Sequence, residues 1–210
     1  MMLPNDEAIA EAAQEAPNLE ALNALIAASP PLVPRDTGAV LGEGLQSAAI
    51  AFVGEQPGDQ EDRQGRPFVG PAGQLLDRAL GEAGIDRAAS YLTNAVKHFK
   101  FEQRGKRRIH QRPTAGEVRH DRWWLERELE LVAPHIVVAL GAIAVLALAG
   151  KALPISQNRG KTHFGHHLGF ITVHPSSILR LREADARAQA FDAFVADLRQ
   201  VRRLADTLTA

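Results

Sequence analysis

Four short apolar runs constrain this chain more than anything else in it. Ala48 to Val53, Tyr91 to Val96, His135 to Leu140 and Phe170 to Val173 are each four to six residues long. The first is continuously apolar, the pattern of a strand covered on both faces in a parallel sheet rather than wetted on one. Helical patterns separate the runs. Pro71 to Gly84 places Leu75, Leu76, Ala79 and Leu80 on one face with Gly84 at its C-cap, and Thr114 and Glu117 form a capping box opening a helix over 115–132. Gly141 to Gly150 is a turn and helix, and the last helix carries Phe191, Phe194, Val195, Leu198 and Val201 as one stripe. Strands alternating with helices predict a three-layer α/β/α sandwich with a central, mainly parallel four-stranded sheet. The Ala-rich segment 6–28 predicts one or two helices broken near Pro17 and ended by Pro30 and Pro31. No linker or repeat divides the chain, so a single domain over 1–210 is expected, with 1–35 as an N-terminal helical extension packed on it.

Composition removes several chemistries. The 210 residues contain no Cys, which excludes disulfides, thiolate nucleophiles and cysteine-ligated zinc or iron–sulfur sites; no metal and no cofactor is expected. The most apolar run, Ile136 to Gly150, is 15 residues, short of the roughly 20 that span a bilayer. The acidic N-terminus does not resemble a signal peptide. A cytoplasmic monomer is the expectation. The net charge of −1 hides segregation: residues 1–30 hold five carboxylates and no Lys or Arg, whereas 97–112 hold seven basic side chains against Glu102. That basic stretch reads either as a solvated loop or as a phosphate-contacting loop in which Lys97, Lys100, Arg104, Lys106, Arg107, Arg108 and Arg112 replace counterions along a nucleic acid.

Ligands of open parallel sheets bind beyond the carboxyl ends of the strands, and these ends carry the polar residues. Gly54-Glu55-Gln56-Pro57-Gly58-Asp59 follows the first strand but matches neither a P-loop nor a dinucleotide fingerprint. It sets a carboxylate and backbone N–H groups around a flat polar ligand, unless it is a plain turn. Phe68 lies in a Pro- and Gly-rich loop, a rigid tether for a ring on which a base can stack. Asn94 ends the second strand. His174-Pro175-Ser176-Ser177 offers an imidazole that can donate to a carbonyl gaining charge, with Ser176 and Ser177 hydroxyls suited to phosphate oxygens. His163, His166 and His167 look like a metal cluster but surround Gly165 and read as hairpin surface.

In combination these motifs are recognisable. Val53-Gly-Glu-Gln-Pro-Gly-Asp-Gln-Glu-Asp with Gly65-Arg-Pro-Phe-Val-Gly-Pro-Ala-Gly-Gln-Leu-Leu resembles the family 4 branch of the uracil-DNA glycosylase superfamily. Thr93-Asn94-Ala95-Val96-Lys97-His98-Phe99-Lys100-Phe101, the loop Lys106-Arg-Arg-Ile-His110 and His174-Pro-Ser-Ser narrow the likeness to the UdgX subgroup. The resemblance implies a DNA-repair enzyme that excises uracil from DNA, preferably single-stranded, and releases free uracil. It places Glu55, His110 and His174 as catalytic and Gln56, Phe68, Asn94 and His174 against the base. Phe68 would stack, Asn94 would read the Watson–Crick edge, His174 would stabilise uracil O2, and Glu55 would stand near the sugar. His110 matches the histidine that bonds to the sugar once the base has left. Lys106, Arg107 and Arg108 would both hold DNA and, by like-charge repulsion, keep His110 uncharged.

The chain departs from this family in one respect. Its members hold a four-iron cluster on Cys residues, where this chain has Ala27 to Leu32 and, later, Asp121. Rival readings are a hydrolytic glycosylase with free product release, a uracil-DNA binding protein with negligible turnover, and an esterase using Ser176 with His174, for which no Gly-x-Ser-x-Gly elbow is present.

Overall fold

The computed structural model describes residues 11–31 and 37–209. After a helical segment at 11–15, the elements run in order as α1 (Leu19–Ala28), β1 (Glu43–Gly44), β2 (Ile50–Gly54), α2 (Asp59–Gln64), α3 (Pro71–Ala83), β3 (Tyr91–Asn94), β4 (Phe101–Arg104), β5 (Arg107–His110), α4 (Ala115–Val132), β6 (Ile136–Leu140), α5 (Ala142–Ala149), α6 (Ile155–Asn158), β7 (Gly160–Phe164), β8 (His167–Thr172), α7 (Pro175–Leu179) and α8 (Ala184–Thr209). The six-stranded sheet has the order β1-β3-β2-β6-β8-β7, and β4 with β5 forms a separate two-stranded hairpin.

The four expected strands are the parallel centre β3-β2-β6-β8. The sheet is nonetheless wider than the expected four strands: β1 and β7 add short antiparallel edges. All five residues of β2 and of β6 are buried, because both faces are covered. Ile50 and Phe52 enter one core with Leu76 and Leu80 of α3 and Phe194 and Leu198 of α8. Ala51 and Val53 enter the other with Leu22 and Ile26 of α1, Leu125 and Leu129 of α4 and Ile143 of α5. Full burial of one such large side chain stabilises by about 1.5–3 kcal/mol, so both faces select apolar residues and alternation vanishes.

The N-terminal helix α1 packs into the second core. Leu19, Leu22 and Ile26 are buried with Trp124 and Leu125, and Arg127 of α4 donates to the Ala16 carbonyl at 2.6 Å. Residues 1–10 and 32–36 of the expected extension lie outside the described residues. Among the described residues no helix is long and apolar enough to cross a membrane.

The basic stretch, expected to be a loop, is instead the hairpin β4–β5. Its register pairs Phe101 with His110 and Arg104 with Arg107, leaving a two-residue turn whose first residue, Gly105, has φ 58°. A two-residue hairpin turn needs positive φ there, which glycine adopts without a Cβ penalty. His163, His166 and His167 sit on the β7–β8 hairpin, where the rings of His166 and His167 are 3.9 Å apart.

Candidate active site

The carboxyl ends of β2, β3, β6 and β8 meet along one edge of the sheet, and a cleft of about 930 Å³ opens there. Glu55, Gln56, Phe68, Asn94, His110, His174, Ser176 and Ser177 all line it. Parallel strands in register bring this about: Gly54 pairs with Asn94, and the N–H groups of Ala95 and Val96 donate to the carbonyls of Gly54 and Glu55 at 3.0 and 3.1 Å. The turn after β3 is thereby sewn to the turn after β2.

Phe68 forms one wall. It has φ 55° and is 5% exposed, with its ring against Gly54. A Cβ on Gly54 would lie 2.4 Å from Asn94 Oδ1 and 2.6 Å from the edge of the Phe68 ring. Only glycine lets the amide and the ring approach that closely. Glu61 of α2, which lines the cleft, fastens two of its loops, its carboxylate accepting the N–H of Gly58 at 3.1 Å and of Gly70 at 2.7 Å.

His174 caps the N-terminus of α7. Its Nδ1 accepts the Ser176 N–H at 3.1 Å, which leaves the ring proton of the neutral imidazole on Nε2 as a donor. Burial, with Arg180 and His110 nearby, lowers its pKa to about 4, so the neutral ring is the form present at physiological pH. Gly141 (φ 90°) packs against it; a Cβ there would lie 2.8 Å from His174 Cβ. The same facts weaken the esterase reading. Ser176 Oγ is 2.8 Å from Nδ1, yet Arg180 donates to that hydroxyl and an imidazole with so low a pKa is a poor general base at neutral pH. Ser177 Oγ donates to the His174 carbonyl at 2.7 Å, so both hydroxyls shape the turn.

His110 reaches the cleft from the end of β5, its Nε2 3.4 Å from Glu55 Oε1 and its side chain about half exposed. Two side chains, Gln56 and Arg108, hold the hairpin in this place. Gln56, expected against uracil, lines the cleft, and its amide ties the base of the hairpin: Nε2 donates to the carbonyls of Lys100 and Gln111, and Oε1 accepts the Lys100 N–H. Arg108, expected on phosphate, is 14% exposed in its side chain and turned inward, donating to Asp59 and Asp62 at 2.5 Å each. Its guanidinium also lies 5.3 and 5.1 Å from the ring centres of Phe99 and Phe101.

These pairings correct the picture of a free polycation. Lys97 is buried against Glu128, Lys100 is paired with Glu117, Arg104 with Glu102, and Arg108 with the two aspartates. Lys106, Arg107 and Arg112 remain exposed, and Arg112 lines the cleft. The Glu55 carboxylate faces the His110 imidazole. Arg180 also lines the cleft; three residues after Ser177, it is legible in the sequence only as the next cation after the His-Pro-Ser-Ser turn.

A family model described as the uracil DNA glycosylase superfamily matches residues 41–199. The chain belongs to this superfamily. It is 39% identical over 160 residues to the type-4 uracil-DNA glycosylase of Thermotoga maritima, covering 75% of this chain and 80% of the relative. It is 35% identical over 153 residues to the type-4 enzyme of Sulfurisphaera tokodaii (68% of this chain, 66% of the relative). The type-4 enzyme of Pyrobaculum aerophilum is 35% identical over 159 residues (71% and 78%).

The four-iron cluster implied by the resemblance finds no ligands here. There is no Cys. The end of α1 and the first turns of α4 do meet, around a cavity of about 20 Å³ lined by Ser29, His98, His120 and Asp121. That is room for one water, not for a cube of iron and sulfide. Among the described residues no group of three or more His, Asp or Glu is placed to hold a metal ion.

Proposed function

We propose that this chain is a uracil-DNA glycosylase of the UdgX kind, which excises uracil from DNA, favours single strands, and captures the abasic sugar through His110. The observation that carries the reading is the contact of His110 with Glu55 at 3.4 Å inside the cleft that also holds Phe68, Asn94 and His174. A base must leave the stack to enter such a pocket, which costs least on a single strand. Once inside, it stacks on Phe68, and the Asn94 amide matches uracil O4 and N3–H, a pattern that cytosine presents inverted.

As the C1′–N1 bond breaks, its electron pair leaves with uracil and charge gathers on O2, where the neutral His174 offers its Nε2–H. A single pre-aimed donor of this type is worth roughly 10²–10³ in rate. Positive charge develops on the sugar, and the Glu55 carboxylate stabilises it. His110 then bonds to C1′ through the ring nitrogen holding the lone pair, and the remaining ring proton passes to Glu55 or solvent. Being held by the hairpin, His110 has the proximity that a mobile water lacks.

Incubation with a uracil-containing oligonucleotide and separation under denaturing conditions tests this. Free uracil with a retarded protein–DNA band supports it. Uracil with alkali-labile, protein-free DNA makes the enzyme hydrolytic, and neither product leaves a binding protein.

A further inference from the structure

Beneath the pocket lies a buried ion pair that the chemistry above leaves unused. Lys97 and Glu128 are each 0% exposed, and neither lines the cleft. The Lys97 ammonium donates to Glu128 Oε2 at 2.5 Å, to Thr93 Oγ1 at 2.8 Å and to the Asn94 carbonyl at 2.9 Å. Its three donors are therefore all used. Glu128 also accepts the Tyr91 hydroxyl at 3.2 Å and the Thr93 hydroxyl at 3.0 Å. One helical face of α4 supplies a further tie, since Asp121 accepts the Lys97 N–H at 2.9 Å.

A buried ion pair is a poor source of stability, because well-packed apolar residues of similar volume often serve as well or better. What distinguishes this one is its grip. The ammonium seizes the carbonyl of Asn94, the last residue of β3, and Asp121 seizes the other end of the same four-residue turn. Between these anchors the N–H groups of Ala95 and Val96 hold the carbonyls of Gly54 and Glu55. One turn thus sets the position of both Asn94 and Glu55. The Asn94 amide has little slack, given the 2.4 Å clearance from a Cβ at Gly54, and a displacement of about 1 Å at a reacting site can cost 10²-fold in rate.

We infer that Lys97 and Glu128 are positioning residues for base recognition, holding the Asn94–Lys97 turn so that the Asn94 amide and the Glu55 carboxylate stand in register for uracil. This rests on Asn94 as the base-reading amide. Apolar replacement at 97 leaves the Asn94 carbonyl and the Thr93 hydroxyl without their donor, and the turn relaxes while the phosphate-facing surface is untouched.

The test measures single-turnover uracil release, inhibition by free uracil, and affinity for a uracil-free oligonucleotide in Lys97→Met, Glu128→Gln, Lys97→Met/Glu128→Met, Asn94→Ala and Asn94→Ala/Lys97→Met. Lys97→Met and the paired apolar variant should release uracil at least tenfold more slowly and be inhibited at least tenfold less by free uracil, with oligonucleotide affinity within twofold of the parent. Lys97→Met should add little to Asn94→Ala, since both act through one amide. Glu128→Gln keeps the side-chain shape and decides the matter if Lys97→Met does not fold; a threefold or larger loss of rate and of uracil inhibition is expected. Folded variants with parental rates and parental uracil inhibition would overturn the inference, as would losses that multiply with Asn94→Ala. If Asn94→Ala itself behaves as the parent, the base-reading role fails instead, which the panel separates from failure of the positioning role.

Discussion

Arg108→Met should uncouple excision from capture. The guanidinium makes two charge-assisted hydrogen bonds, to Asp59 and to Asp62, and a third to the Asp59 carbonyl at 3.1 Å. Asp62 is 5% exposed, and its Oδ1 has no hydrogen-bond partner among the described residues, so Arg108 is its main compensation. Hydrogen bonds to charged groups are worth about 1.5–3 kcal/mol each. Discounting the half-exposed Asp59 side, the clamp holds the hairpin with about 3 kcal/mol, roughly a hundredfold in the docked population. Glu55, Phe68, Asn94 and His174 do not stand on the hairpin. In a single-turnover reaction, uracil release should therefore stay within a few-fold of the parent while the retarded band gives way to protein-free abasic DNA. Asp62→Asn should shift the ratio in the same direction. Capture by Arg108→Met at the parental rate and yield would refute the clamp and return Arg108 to the phosphate-binding role.

Three further outcomes follow from the site. Glu55→Gln should lose most uracil release with DNA affinity nearly unchanged, because the carboxylate acts on transition-state charge; undiminished single-turnover release would remove it from the catalytic group. Neutralising Lys106 and Arg107 should reduce the slope of log affinity against log salt by about 1.4 on single strands, at roughly 0.7 per phosphate contact, whereas Arg108→Met leaves it alone; an unchanged slope in the double variant would make the hairpin tip a solvated surface. His174 titrates near 4 when folded against 6.5 when unfolded, so between these values only the unfolded state takes the proton and stability falls as pH drops below about 6.5. His174→Asn should lessen the loss of stability between pH 7.5 and 5 by roughly 2 kcal/mol in urea denaturation, and an identical loss in both proteins would contradict the assigned environment.

The sequence was legible where a local rule and the tertiary environment agree. Thr114 and Glu117 close a reciprocal capping box, and the helix they open spans the expected 115–132. The four central strands were legible because both sheet faces demand apolar residues. The edges were not: β1 is two residues long, and β7 alternates exposed and half-buried residues. The hairpin was hidden by its charges, although Phe101 opposite His110 across the Gly105 turn is a strand pairing. Glu55, Phe68, Asn94, His110 and His174 do meet in one cleft, as the motifs implied. The commitments of Gln56 and Arg108 could not be read, since their partners lie 44 to 55 residues away in the chain. Charge counting saw a polycation, and only the fold shows that four of its seven cations are already paired.

In the proposed reaction, the carbon freed by uracil departure is taken by His110. The direct measurement is mass mapping of the crosslinked residue after reaction with a uracil-containing single strand, with the released uracil counted in the same sample. One uracil per adduct, a heat- and detergent-stable band, and a crosslinked peptide bearing the sugar on His110 are predicted, and His110→Ser should release uracil with no band. An adduct on any other residue, or uracil released by the parent protein with no adduct at all, would contradict the mechanism.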